Sequence, residues 1–300
     1  MAYRFEVGEP VRDAVCRVVT EEVAAAEDSL ALVLATGSSA AVHDVRKRTK
    51  KLRAVATMVS GSVPRRRWRG VHRAAGDAAR ALATAREAHV LHHTLAGVVA
   101  EAGGGFAMAM ANAARAERDA VSVPDDEAVQ HASWLLTGVV TEVGTWTLPD
   151  RFDTIADGVA ATYRDGRRRW RALGEPVAIA DAANVEAVHR WRRSVKYRWY
   201  HTRLLACLAP DVLGAEEVLL GELGELLGAD HDLALLIEAL ADDPGRWGGV
   251  TDAARIARRA TARRRNGSER AAALAGQLFV DPPATHVGRL GAWWESHHAT

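Results

Sequence analysis

The chain has 300 residues, 39 basic against 38 acidic, with 48% of its residues hydrophobic. That length supports a large core, and that apolar content excludes a disordered or low-complexity chain. The near-zero charge balance excludes a uniformly basic protein, so any affinity for a polyanion must come from local clustering. Basic clusters do occur at Arg65 to Arg73, Arg164 to Arg171 and Arg255 to Arg265.

Tyr3 to Val7 alternates and reads as a short extended stretch. Pro10 suits the first turn of a helix over Val11 to Ala35, with Val15, Val18, Val19, Val23 and Leu30 on its inner side. Gly37-Ser38-Ser39 breaks the chain and offers a cap for a basic helix running to about Ser60. Further helices are expected over Arg65 to Ala83, Ala85 to Ala102, Phe106 to Asp119 and Asp125 to Thr145, the last with Trp134 and Leu135 inward. Leu148-Pro149-Asp150 marks a joint between halves. Beyond it, helices are expected over Phe152 to Leu173, Asn184 to Leu208, Val212 to Leu227 and His231 to Leu240. A long Arg-rich helix over Thr251 to Leu278 is interrupted near Asn266-Gly267, and a last helix carries Trp293 and Trp294. Nothing alternates over the length of an ordinary strand, so the class is all-α, in bundles of antiparallel neighbours.

Two of these helices share a pattern. When His43 is placed over His189, Arg46 falls on Arg192, Lys47 on Arg193 and Lys50 on Lys196. Offsets of 0, +3 and +7 lie on one helical face, so each row stacks its cations along about 10 Å. Arg53 and Arg203 prolong the rows. Val42 to Arg53 holds six Lys or Arg against one acid, Asp44, and His189 to Arg203 holds six against none. Like charges so spaced repel, and a merely solvated helix mixes signs. The rows therefore point to a polyanion, with a solvated basic face as the bland alternative. Leu82 to Val90 also lies over Leu227 to Leu235, at nearly the same offset, and this suggests an internal duplication. Two related bundles packed about a pseudo-two-fold axis would set both rows on a central basic groove or pore.

At these residues the chain resembles the CHAD family, the conserved-histidine α-helical domain. VHDVRKRTKKLR and VHRWRRSVKYRWYHTRLL are similar to its two signatures, LATAREAHV and LGADHDLAL to its junction elements, and TYRDGRRRW to the segment opening its second half. Trp199 stands where the general pattern has Arg, and Glu87 where Asp is usual. The resemblance spans residues 3–296 as one domain, with halves 8–148 and 150–296. It implies a helical protein that binds inorganic polyphosphate along a basic groove and can associate with polyphosphate granules. Carried over by motif, the contacts are His43, Arg46, Lys47, Lys50, Lys51 and Arg53, then His189, Arg192, Arg193, Lys196, Arg198 and Arg203, with Arg164 and Arg167 added.

Binding without catalysis is expected, with no metal and no cofactor. His43 and His189 read either as phosphate donors or as imidazoles at the edge of the core, and Glu87 and Asp232 as structural acids. Two rivals remain. Interleaved Arg and Trp could suit single-stranded nucleic acid, though no nucleic-acid-binding signature is present. His43-Asp44 and His231-Asp232 resemble the His-Asp pair of metal-dependent phosphohydrolases, without the further ligands such a site needs. Cys16 and Cys207 read as buried free thiols of a reducing compartment. With no secretory signal and no membrane span, the expected location is the cytoplasm. Oligomeric state is not readable.

Overall fold

A computed structural model describes residues 3–82, 86–100, 106–120 and 124–298, without the side chains of 86–89, 117, 118, 120 and 298. The described residues hold twelve α-helices and no strand. Helix α1 (Val11–Thr36) ends at Gly37, whose φ of 65° supplies the left-handed turn that returns its N–H to the Val33 carbonyl. Helix α2 (Ser39–Met58) begins under the Ser38 hydroxyl, which accepts the Ala41 N–H. Then come α3 (Arg65–Ala81), α4 (Arg86–Ala100), α5 (Ala107–Ala120) and α6 (Asp126–Gly144). Asp125 caps α6, and Asp126 and Glu127 in its first turn suit the positive end of the helix.

Helix α7 (Asp153–Leu173) stops at Gly174, and the short α8 (Pro176–Ala180) leads to α9 (Val185–Leu204). Helices α10 (Pro210–Asp242) and α11 (Val250–Leu278) form a long pair, and α12 (Pro283–His298) closes the chain. Tyr3 and Phe5 are not part of a strand. Both are buried, and the Phe5 N–H bonds to the Leu204 carbonyl.

Three apolar cores hold these helices. The first joins α1, α2, α3 and α6 to the start of α7, the end of α9 and Leu290 and Trp294 of α12. The second lies between α7, α8, α9, the first part of α10 and the last part of α11. The third packs Leu91, Leu95 and Phe106 of the α4–α5 region against Leu236, Trp247 and Ile256. Helices α4 and α5 would be assigned to the first half by boundaries at 8–148, but α4 packs on α10 and α11 and α5 on α4 and the turn at 244–247.

Four expectations are corrected. Residues 212–240 form part of one helix, not two. Gly228 does not break α10; it admits a side chain of α9 instead. Helix α11 passes through Asn266-Gly267 without interruption. The register of α6 buries Ala132, Leu136, Val139 and Val143, which turns Trp134 outward at 70% exposed, stacked on His131. Cys16 and Cys207 are half-buried rather than buried.

Candidate functional site

Helix α2 buries Val42, Val45, Thr49 and Leu52, which leaves its basic residues on the remaining faces. His43, Lys47 and Lys50 are exposed, and Arg46 and Arg53 are half-buried. Arg46 is anchored to α3 by a bond from Nη1 to the Ala79 carbonyl, 2.9 Å. Lys47 lies 3.4 Å from Asp44, which is also held by Arg48 and Ser29. Lys51 turns the other way. Its Nζ sits 2.6 Å from Glu22 of α1 and over the Tyr3 ring, and burial lowers its pKa.

Helix α9 lies across a stripe of glycines on α10. Trp199, Lys196 and Arg192 rest on Gly221, Gly224 and Gly228 in turn, spacings that follow one face of an antiparallel neighbour. A Cβ at Gly228 would come 2.7 Å from Arg192 Nη2, and one at Gly224 would come 2.8 Å from Lys196 Cε. The missing Cβ atoms let both cations lie flat along α10. Arg192 also donates to the Gly224 carbonyl at 3.4 Å, and Lys196 pairs with Glu225 at 2.7 Å. Arg193 is exposed. His189 packs its ring 4.7 Å from that of His231; burial, then His231, lowers its pKa.

The remaining motif residues serve the fold or face solvent. Arg198 is buried, donating to the Leu278 carbonyl and to Glu216, and it lies against the rings of Tyr163 and Phe279. Arg203 is paired with Glu217 at 3.1 Å. Arg167 ties α7 to the Phe279 and Val280 carbonyls, while Arg164 is exposed. Asp230, rather than Asp232, is the junction acid that orients an arginine: both its oxygens accept from buried Arg264. The Glu87 side chain lies outside the described residues.

Helices α2 and α9 are in contact, with Arg53 of α2 6.0 Å from the Tyr197 ring of α9. The Glu225 carboxyl is held below the usual carboxylate range by the Lys196 hydrogen bond, with the charges of Arg192 on α9 and Lys50 on α2 adding to it. Nearby, α2, α3, α7 and α9 enclose a cleft of about 590 Å³. Arg53, Arg69, Arg73 and Arg80 line it, opposite Asp165 and Ser194. Burial pulls the Asp165 carboxyl up, but hydrogen bonds from Arg169 and Ser194 outweigh this and leave it below its ordinary value. Arg80 is ion-paired to Asp77. Arg53 Nε donates to His72 Nε2 at 3.3 Å, and the Tyr197 hydroxyl lies 2.9 Å from the same nitrogen. Burial, reinforced by Arg53 and Arg69, lowers the His72 pKa to about 4, so the ring is neutral and able to accept.

No signature motif covers the three arginines of α3. Their signal was spacing, since Arg69, Arg73, Gly76 and Arg80 share one helical face. Two indoles of α9 offer little open face. Trp191 is buried against Trp170, and Trp199 lies under Lys196 and Arg203. Among the described residues, no three His, Cys, Asp or Glu are placed to hold a metal ion, and no helix is long and apolar enough to cross a membrane.

A family model described as CHAD domain matches residues 17–241, most of the chain and both basic helices. No curated protein matches the chain, and no solved structure does.

Proposed function

The chain belongs to the CHAD domain family, and we propose on that premise that it binds inorganic polyphosphate without turning it over. The observation that carries this reading is the position of Glu225, 2.7 Å from Lys196 and next to the Gly224 carbonyl that Arg192 bonds, where Lys196, Arg192 and Lys50 all lower its pKa. An anion at that place feels cations from α2 and α9 together. The arginine-lined cleft extends the positive surface from Arg53 along α3. In this account α2 and α9 hold equivalent places in a duplicated bundle, about a pseudo-two-fold axis, and the groove between them receives the ligand.

Polyphosphate is a flexible chain of closely spaced negative charges with nothing to stack or read. A site for it needs many cations fixed in a row beforehand. Arginine offers a fork to phosphate oxygens, lysine a mobile point charge, and a helix fixes their spacing. The proposed contacts are His43, Arg46, Lys47, Lys50 and Arg53, then Arg192, Arg193 and Lys196, with Arg69, Arg73 and Arg80 from α3. Lys51, Arg198 and Arg167 are engaged by the fold. On α9 itself the Trp191 and Trp199 faces are covered, which favours polyphosphate over single-stranded nucleic acid, whose binding depends on base stacking. The proposed setting is the cytoplasm, at polyphosphate granules.

Charge reversal tests the assignment. R46E/K50E and R192E/K196E should each weaken long-chain polyphosphate binding at least tenfold with helicity unchanged. Unlabelled polyphosphate should displace bound nucleic acid, and the reverse should be inefficient. Variants that bind like wild type would remove the two rows from the site.

A further inference from the structure

The two flanks of the proposed groove differ in sign. On the α2 side, α3 presents Arg69 and Arg73, with Arg80 paired to Asp77 of its own helix. On the α9 side, α10 presents Glu217 to Arg203 at 3.1 Å and Glu225 to Lys196 at 2.7 Å. Glu225 is the unusual member. Its side chain is 78% exposed, yet it pairs at 2.7 Å with a lysine laid over Gly224. Arg192 bonds to the backbone carbonyl of the preceding residue, Gly224.

We propose that Glu225 is an internal counterion, standing where one phosphate of the ligand would sit and setting which anions the groove accepts. This rests on the polyphosphate reading. An anion that meets Lys196 alone exchanges one carboxylate for one charge and gains little. A linear polyanion that reaches Lys196, Arg192 and Lys50 together displaces the carboxylate and adds contacts it cannot make. Glu225 therefore raises the threshold against orthophosphate and short chains, while long, densely charged chains pass it. Arg69 and Arg73 of α3, beside an Arg80 already paired to Asp77, act as the first point of capture.

A matched pair of variants provides the test. Glu222 lies one turn earlier on α10 and pairs instead with Arg270 of α11 at 2.7 Å. E225Q and E222Q change net charge equally, so their difference reports position alone. Titrations use orthophosphate, tripolyphosphate and long-chain polyphosphate against wild type, E225Q, E225A and E222Q. The expected result is that E225Q and E225A bind tripolyphosphate about tenfold tighter than E222Q does, with a smaller gain for long chains, so that length discrimination narrows. Equal affinities for the Glu225 variants and E222Q would overturn the inference and leave polyphosphate binding standing. A wild-type protein that binds no polyphosphate would overturn both.

Discussion

Gly228→Ala on α10 should separate stability from binding. The new Cβ would stand 2.7 Å from Arg192 Nη2, where ordinary contact begins near 3.4 Å. The guanidinium must move by a few tenths of an ångström to about 1 Å, and it is the far end of a flexible side chain. Alanine in a helix interior is favoured over glycine by about 1 kcal/mol, which offsets the lost contact. Stability should therefore stay within about 1 kcal/mol of wild type. Binding should not be so protected. A hydrogen bond to a charged group contributes roughly 1.5–3 kcal/mol net, so loss of the Arg192 contact should cost about tenfold or more in affinity. Gly224→Ala should do the same through Lys196, whose Cε would lie 2.8 Å from the new Cβ. Thermal unfolding by circular dichroism and calorimetric titration with polyphosphate measure the two effects. A variant that unfolds early, or one that binds as tightly as wild type, would refute the argument that these glycines exist to seat the cations.

Other predictions follow the same geometry. Asp230→Ala strands the Arg264 guanidinium inside the protein and should cost about 3–5 kcal/mol in urea unfolding. Gly158→Ala would drive a Cβ into the Met58 and Thr57 carbonyls, where backbone must shift, and should destabilise by about 3 kcal/mol or more. The pKa values of His72 and His201 are lowered to about 4 and that of His286 to about 3, all chiefly by burial. Below pH 6.5 the unfolded chain then holds more protons, so stability should fall as pH drops from about 6.5 toward 4 and level off above that window. Replacing His201 with Gln should flatten this slope in pH-dependent melts. Arg69→Ala with Arg73→Ala should lower the slope of log affinity against log salt by about 1.4, at about 0.7 per neutralised charge on a single-stranded polyanion. An unchanged slope would take the α3 arginines out of the site.

The helix ends were well marked because capping chemistry is local. Pro10, Gly37-Ser38, Asp125 and Gly174 each act on a neighbouring turn, whereas Pro210, expected to stop α9, begins α10. The division expected between Leu227 and His231 failed for the opposite reason, since the glycine there answers to Arg192, 36 residues away. Trp134 misled through residue type. An indole suggests the core, but the α6 register that buries Ala132 and Leu136 turns position 134 outward. The basic rows were visible as a repeated spacing. Which cations stay available to a ligand was not, because that depends on distant acids: Glu22 engages Lys51 and Glu216 engages Arg198. The α3 arginines became part of the site only once α3 stood beside α2 across the cleft from α7 and α9. Equivalence of the two halves was read from two matching offsets, which say nothing of where α4 and α5 pack.

The central claim is that cations from α2, α3 and α9 act together on one inorganic polyanion. Titration of the wild-type protein with long-chain polyphosphate and with orthophosphate, each at 50 and 200 mM salt, tests it most directly. The account predicts binding of the long chain that weakens steeply with salt and exceeds that of orthophosphate by orders of magnitude. Equal, weak binding of both at low salt would contradict it.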